Sequence, residues 1–168
     1  MKKQRLPAGI DPLTAEEEAA WRALARAVLV VPRVLDAEML ESQGLNITEY
    51  NVLMNLSEAP DHSLRMSELA NFVSITVSGL TRVVERLSRR GLVDRVRAET
   101  DGRGQVAVLT PAGLDRLRQA WPSHLAAVRR HVIDHLGDLD LVSLAEALAN
   151  IASAEVGPPV RRTTPSRS

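Results

Sequence analysis

Residues 76–110 read TVSGLTRVVERLSRRGLVDRVRAETDGRGQVAVLT, and the succession of patterns in this stretch decides the fold. Val77, Leu80, Val83, Val84 and Leu87 recur at helical spacing, which predicts a helix with that face packed inward. The opposite face carries Thr76, Ser78, Thr81, Arg82 and Arg86, small hydroxyl side chains that allow close approach together with guanidinium groups. Gly91 stops the helix, and Arg89 and Arg90 fall in its last turn, where the helix dipole favours positive charge. Leu92-Val93 and Val106-Ala107-Val108-Leu109 then flank a turn containing Asp101, Gly102, Arg103 and Gly104, which predicts a hairpin with an arginine at its tip.

A helix followed by an arginine-tipped hairpin is the shape of a winged helix-turn-helix, a reader of DNA. The preceding residues complete it. A short helix is predicted over 67–73, Ser74-Ile75 is the tight turn, and 76–90 is the recognition helix. Strands are expected at 93–97 and 105–109, with a brief partner strand at Leu64-Arg65. Upstream, Ile47 and Val52 are placed as a hydrophobic staple for a helix over 48–57, closed by Ala59-Pro60-Asp61.

Long helices flank this lobe. Thr14 and Glu17 form a T-x-x-E capping box opening a helix to Gln43, ended by Gly44, with a kink expected at Pro32 where an amide donor is lost. Its apolar stripe is Trp21, Leu24, Val28, Val31, Leu35 and Met39. Thr110-Pro111 pairs a capping hydroxyl with proline at the first helical position, and the helix is predicted to run to Leu136 with a second kink at Pro122. Gly137 ends it, and Asp138 or Asp140 caps a last helix carrying Val142, Leu144, Leu148 and Ile151. The expected fold is mainly α with a small β-wing. A winged helix-turn-helix lobe spans 45–110, dimerisation helices span 14–43 and 111–154, and all of 14–154 forms a single domain. Residues 1–13 and 155–168, rich in Pro, Ser, Thr and Arg towards the C-terminus, are read as disordered tails. Apolar helices at both ends exceed what a lobe of this size needs for its own core, so a symmetric homodimer is expected, its two-fold matching a pseudo-palindromic operator.

Composition agrees. The 168 residues suffice for one domain with a real core, and no apolar run approaches membrane-spanning length. No apolar segment follows the basic N-terminal residues, so neither a signal peptide nor a membrane partner is expected, and a cytoplasmic location follows by elimination. The absence of cysteine removes disulfides, thiolate metal sites and thiol redox sensing. Net charge is formally zero, with 21 basic and 21 acidic residues, but it is unevenly divided. Residues 65–104 hold eight arginines against five acids, 8 − 5 = +3, which leaves −3 for the remainder. The basic excess lies where phosphate contact requires it.

In this order and spacing the chain resembles the MarR family of bacterial transcriptional regulators from Thr14 to Ala154. LNITEYNVLMNLSEAP (45–60) looks like the helix leading into that family's DNA-binding lobe. LRMSELANFVSITVSGLTRVVERLSRRGLVDR (64–95) resembles its helix-turn-helix, and ETDGRGQVAVLTPAG (99–113) its wing signature. The resemblance implies a homodimer whose terminal helices interlock, two winged lobes straddling double-stranded DNA, and repression relieved by a small phenolic or other anionic ligand. It implies no catalytic activity and no cofactor.

By resemblance to the wing, Arg103 reaches the minor groove, where a narrow groove concentrates negative potential. Asp101 is expected to orient Arg97 or Arg103 through a bidentate pair. On the recognition helix Arg82 is the expected base or phosphate contact, and Ser74, Thr76, Ser78 and Thr81 are hydroxyl donors. Gly79, costly inside a helix, points to a close backbone approach, to DNA or to the preceding helix. Arg86 shares the Arg82 face one turn on, with pairing to the neighbours of Glu85 or to the wing as the alternative, while Arg65, Arg95 and Arg97 are phosphate clamps. Trp21, Tyr50 and Trp121 are the aromatics expected to line a ligand crevice, weighed against an ordinary packing role.

Four rival readings are open, the first a regulator of the same fold with no small-molecule effector, whose occupancy is set by abundance or by competition on DNA. His124, His131 and His135 sit at helical spacing and invite a zinc-responsive regulator, but no cysteine and no HExxH accompanies them, so no metal ligand is assigned. A winged-helix protein-interaction module that has abandoned DNA has no need of Arg82, Arg86 and Arg103 together. An enzyme lacks support: there is no paired nucleophile and base, no phosphate-binding glycine loop and no metal constellation in the sequence.

Overall fold

The computed structural model describes residues 11–97 and 104–153. In chain order the elements are α1 (Ala15–Gln43), α2 (Ile47–Glu58), β1 (Ser63–Arg65), α3 (Met66–Phe72), α4 (Val77–Arg89), β2 (Val93–Arg97), β3 (Gln105–Leu109), α5 (Pro111–His131) and α6 (Leu141–Ser153), with 3₁₀ turns at Pro60–His62 and Ile133–His135. The described residues divide into two compact units between His135 and Leu136, so α6 is described by itself.

The predicted caps set the boundaries. Thr14 accepts from the Glu17 amide at 3.2 Å while the Glu17 carboxylate accepts from the Thr14 amide at 2.8 Å, the reciprocal box that opens α1. Gly44 closes it in the left-handed region at φ 57°. α1 and α5 run on through Pro32 and Pro122 without interruption of either helix.

Several boundaries differ from expectation. α2 begins at Ile47, capped by Asn46, whose Oδ1 accepts from the Glu49 amide at 2.8 Å. The residues flanking this cap, Leu45 and Tyr50, are both fully buried. The helix expected to reach Leu136 ends at His131, because the backbone at Val132 leaves helical geometry and a 3₁₀ turn follows. Asp140 caps α6, accepting from the Val142 amide at 3.0 Å and the Ser143 hydroxyl at 2.6 Å.

The three strands form an antiparallel sheet in the order β1-β3-β2. Leu64 stands opposite Ala107, and Val96 opposite Val106. The core lies where α2, α3, α4, the sheet and the first turns of α5 meet. Tyr50, Leu53, Leu56, Leu69, Leu80, Val84, Leu87 and Val93 are fully buried there. Gly113 fits α5 onto this core, since a Cβ at that position would lie 2.1 Å from the Leu92 carbonyl oxygen. The Thr110 hydroxyl locks the same corner, donating to the Gly91 carbonyl at 2.7 Å and accepting from the Gly113 amide at 3.0 Å.

The apolar stripe of α1 is only partly used within the chain. Leu35 and Met39 are buried, whereas Trp21, Val28, Leu29 and Val30 are exposed. Trp121 and Leu125 of α5 are exposed as well, and α6 buries no side chain.

Candidate nucleic-acid interface

α3, the turn and α4 form the helix-turn-helix. Val73 caps α3, Ser74 adopts φ 54°, and the Ile75 amide donates to the Ala70 carbonyl at 3.0 Å, which reverses the chain within a few residues. Thr76 then caps α4, its Oγ1 accepting from the Gly79 amide at 3.1 Å. α4 buries Leu80, Val83, Val84 and Leu87 and leaves Ser78, Arg82 and Glu85 exposed, so the face nominated from sequence is turned to solvent.

Two hydroxyls on that face are engaged by the helix itself. Thr76 Oγ1 caps it and lies 3.2 Å from Ser78 Oγ, and the Thr81 hydroxyl donates to the Val77 carbonyl at 2.9 Å. Val77, expected to pack inward, is 50% exposed at the first helical position, whereas Leu80, three residues on, is fully buried. Gly79 has no neighbour from α3 near its absent Cβ. The nearest atom is Thr76 Oγ1 at 3.1 Å, so the smallness of Gly79 accommodates the cap rather than a preceding helix.

The arginines divide into paired and exposed groups. Arg86 was grouped with Arg82, but its Nε donates to Glu49 Oε1 at 2.9 Å. Glu49 is 5% exposed and also meets Arg90 at 3.4 Å while bonding the Asn46 amide at 3.3 Å. One carboxylate thus completes the α2 cap and holds the C-terminal half of α4. The N-x-x-E spacing at Asn46 and Glu49 was the available sequence signal for the cap. Arg95, expected to clamp phosphate, pairs with Glu85 at 3.2 Å and with the Gln105 side chain, which ties β2 to α4 and β3. Arg65 is half-buried at the end of β1, Arg97 is exposed at the end of β2, and Ser74 is exposed in the turn. Asp101 and Arg103 lie outside the described residues.

The aromatics expected to share a crevice are separated by role. Tyr50 is fully buried and stacks on His124 with ring centroids 4.2 Å apart. Burial, with the Glu58 carboxylate second, pushes the Tyr50 phenol up to about 12. Trp21 is an exposed residue of α1. Trp121 lines a cavity of about 290 Å³ between α2 and α5, with Met54, Glu58, Leu117 and Arg118 among its walls. The histidines are likewise apart in role. His131 Nε2 lies 2.7 Å from Glu38 Oε2, His124 packs on Tyr50 and burial lowers its pKa, and His135 is exposed. Among the described residues no group of three or more His, Cys, Asp or Glu is arranged to hold a metal ion. No helix among them is long and apolar enough to cross a membrane.

A helix-turn-helix set between the first strand and the last two strands of a three-stranded sheet, with helices before and after, defines a winged helix-turn-helix protein. A sequence profile of the MarR family matches residues 43–104. The transcriptional repressor YetL of Bacillus subtilis is 30% identical over 114 residues, covering 66% of this chain and 68% of YetL. The chain also matches the transcriptional repressor MprA of Escherichia coli K12, at 32% identity over 85 residues and 51% of this chain. It spans about half the length of that relative, 48%. Among solved structures, Sco3205 of Streptomyces coelicolor, a MarR family transcriptional regulator crystallised in complex with DNA, superposes with a TM-score of 0.77 at 38% identity, covering 84% of this chain and 92% of that one. AbsC, another MarR family regulator of Streptomyces coelicolor, gives a TM-score of 0.76 at 38% identity, covering 85% and 96%. This chain belongs to the MarR family of transcriptional regulators.

Proposed function

We propose that this chain is a sequence-specific double-stranded DNA-binding regulator, a homodimeric repressor released by a small-molecule ligand. The observation that carries the DNA-binding part is the geometry of α4. Its apolar face is spent on the core, and a buried carboxylate seats its C-terminal half. The outer face of its N-terminal half is turned to solvent, with Ser78 and Arg82 exposed while Leu80 and Val83 are buried. That is the part of a recognition helix that enters the major groove. Sco3205, similar over 84% of this chain, was crystallised in complex with DNA, which supports a DNA-binding role here.

Arg82 reads a base edge, and Ser74, Thr76 and Ser78 position the helix on phosphates. Arg65 and Arg97 flank the helix as phosphate contacts, and Arg103 enters the minor groove from the wing. Arg86 and Arg95 act indirectly, by holding α4. The lobe spans 45–110 within a single domain of 14–154. The flanking helices dimerise, which covers the exposed apolar residues of α1, α5 and α6. A ligand enters the cavity beside Trp121, whose walls carry both Glu58 and Arg118, the latter paired with Asp115 at 3.2 Å.

Titration of a labelled duplex selected from a random library tests the central claim. Binding is expected to be saturable and salt-dependent, with footprints forming an inverted repeat whose half-site centres lie roughly 10 base pairs apart. Protection of a single asymmetric half-site rejects the dimeric arrangement, and equal affinity for selected and random duplexes rejects specific reading.

A further inference from the structure

Val77 breaks the amphipathic rule of its own helix. The heptad-like pattern assigns it to the core, yet it is half exposed while Leu80, Val84 and Leu87 are fully buried. It sits at the first helical position of α4, directly after the Thr76 cap. The hydroxyls around it are turned onto the helix: Thr76 Oγ1 accepts from the Gly79 amide, and the Thr81 hydroxyl donates to the carbonyl of Val77 itself at 2.9 Å. A threonine with its hydroxyl bonded to the backbone presents its methyl group elsewhere. The first turn of α4 therefore offers an apolar surface, the Val77 isopropyl group, while the Arg82 guanidinium stands five residues on, about 140° around the helix.

We propose that Val77 is a specificity-determining residue that packs against the C5-methyl group of a thymine in the major groove, so that each half-site carries a thymine facing the first turn of α4. The inference rests on the reading of α4 as the recognition helix. Among the base-pair edges of the major groove, the thymine methyl is the apolar feature, and cytosine presents an amino donor and no methyl. An exposed valine gains by meeting that methyl and leaves the donor of a cytosine unanswered. It has no hydrogen bond of its own to offer a phosphate or a base edge, so apolar contact is the one kind of recognition it supplies. Arg82, five residues on, supplies the polar contact from another side of the helix.

The test starts from a duplex selected by the full-length chain from a random library. Each thymine of one half-site is replaced singly by deoxyuridine, which removes the methyl group and nothing else. Affinities of the wild-type chain and Val77→Ala are compared by fluorescence anisotropy at fixed salt. One deoxyuridine position is expected to weaken wild-type binding roughly fourfold, the worth of one buried methyl group. Val77→Ala is expected to bind thymine and deoxyuridine duplexes alike at that position. A half-site in which no thymine methyl matters overturns the assignment, as does a methyl effect undiminished in Val77→Ala. If the library yields no enriched duplex, the DNA-reading function fails, and this inference falls with it.

Discussion

Replacing Gly113 by alanine tests how the winged lobe is joined to α5. The new Cβ would lie 2.1 Å from the Leu92 carbonyl oxygen, 2.7 Å from Leu109 Cδ1 and 3.0 Å from the Leu92 carbonyl carbon. Ordinary carbon contacts begin near ~3.5 Å, so either β2 or the first turn of α5 must move by more than about 1 Å. The Leu92 oxygen also accepts the Thr110 amide at 3.2 Å, and the Thr110 hydroxyl bridges Gly91 and Gly113, so movement of either partner strains these bonds too. Overpacking against backbone costs about 3 kcal/mol, and loss of one hydrogen bond adds about 1 kcal/mol. Better helix propensity returns about 1 kcal/mol, for a net loss of about 3 kcal/mol. In a chain of this size that lowers the melting temperature by roughly 6–12 °C. Gly44→Ala is the comparison. Gly44 has φ +57° and nothing within 4 Å of its Cβ position, so alanine there meets backbone strain alone. That strain is worth about 1–2 kcal/mol. Both variants are melted at one fixed protein concentration and followed by circular dichroism. If Gly113→Ala costs no more than Gly44→Ala, the close packing of α5 on Leu92 is refuted.

Glu49→Ala removes a helix cap, worth about 1 kcal/mol, and two ion pairs whose arginine side chains are 42% and 39% exposed. Discounting those pairs for solvent to about 0.5–1 kcal/mol each gives a total loss of about 2–3 kcal/mol in urea unfolding. Glu49→Gln, which keeps an oxygen acceptor, should recover part of it, whereas a loss equal to that of Glu49→Ala would show that the charge alone carries the interaction. Arg82→Ala is expected to relax sequence preference if the guanidinium reads a base edge. Uniform weakening with a shallower salt slope would mark it as a phosphate contact. Arg103→Ala should weaken binding by about 1–3 kcal/mol with the melting curve unchanged, and an unchanged gel-shift titration would remove it from the site. His124 gives a pH dependence of definite sign. Burial lowers its pKa in the folded chain below the ordinary histidine value of 6.5, so the unfolded chain takes up the proton first. Its contribution is full above the unfolded value and is lost as pH falls through it. Unfolding midpoints measured downward from neutral pH should fall, and His124→Phe, which keeps a ring on Tyr50, should flatten that slope.

Much of the architecture was legible in local sequence. The Thr14–Glu17 box, Gly44 at the end of α1, Thr110-Pro111 at the start of α5 and the apolar period of α4 all rest on residues within a few positions of one another. These helix starts and stops and most of the buried face of α4 therefore follow from the chain alone, and the winged helix-turn-helix follows from their order. Tertiary packing decided which side chains remain available. Arg86 and Arg90 are held by Glu49 across separations of 37 and 41 residues, and His131 reaches Glu38 across 93. Periodicity placed Arg86 beside Arg82 and Val77 beside Leu80. The geometry instead pairs Arg86 with a buried carboxylate and leaves Val77 in solvent. Trp21 and Tyr50, equally apolar by type, end on the surface and in the core because burial depends on what other elements bring opposite a helix face. Local rules specify which face of a helix is apolar, and only the packed chain determines how far along the helix that face is covered.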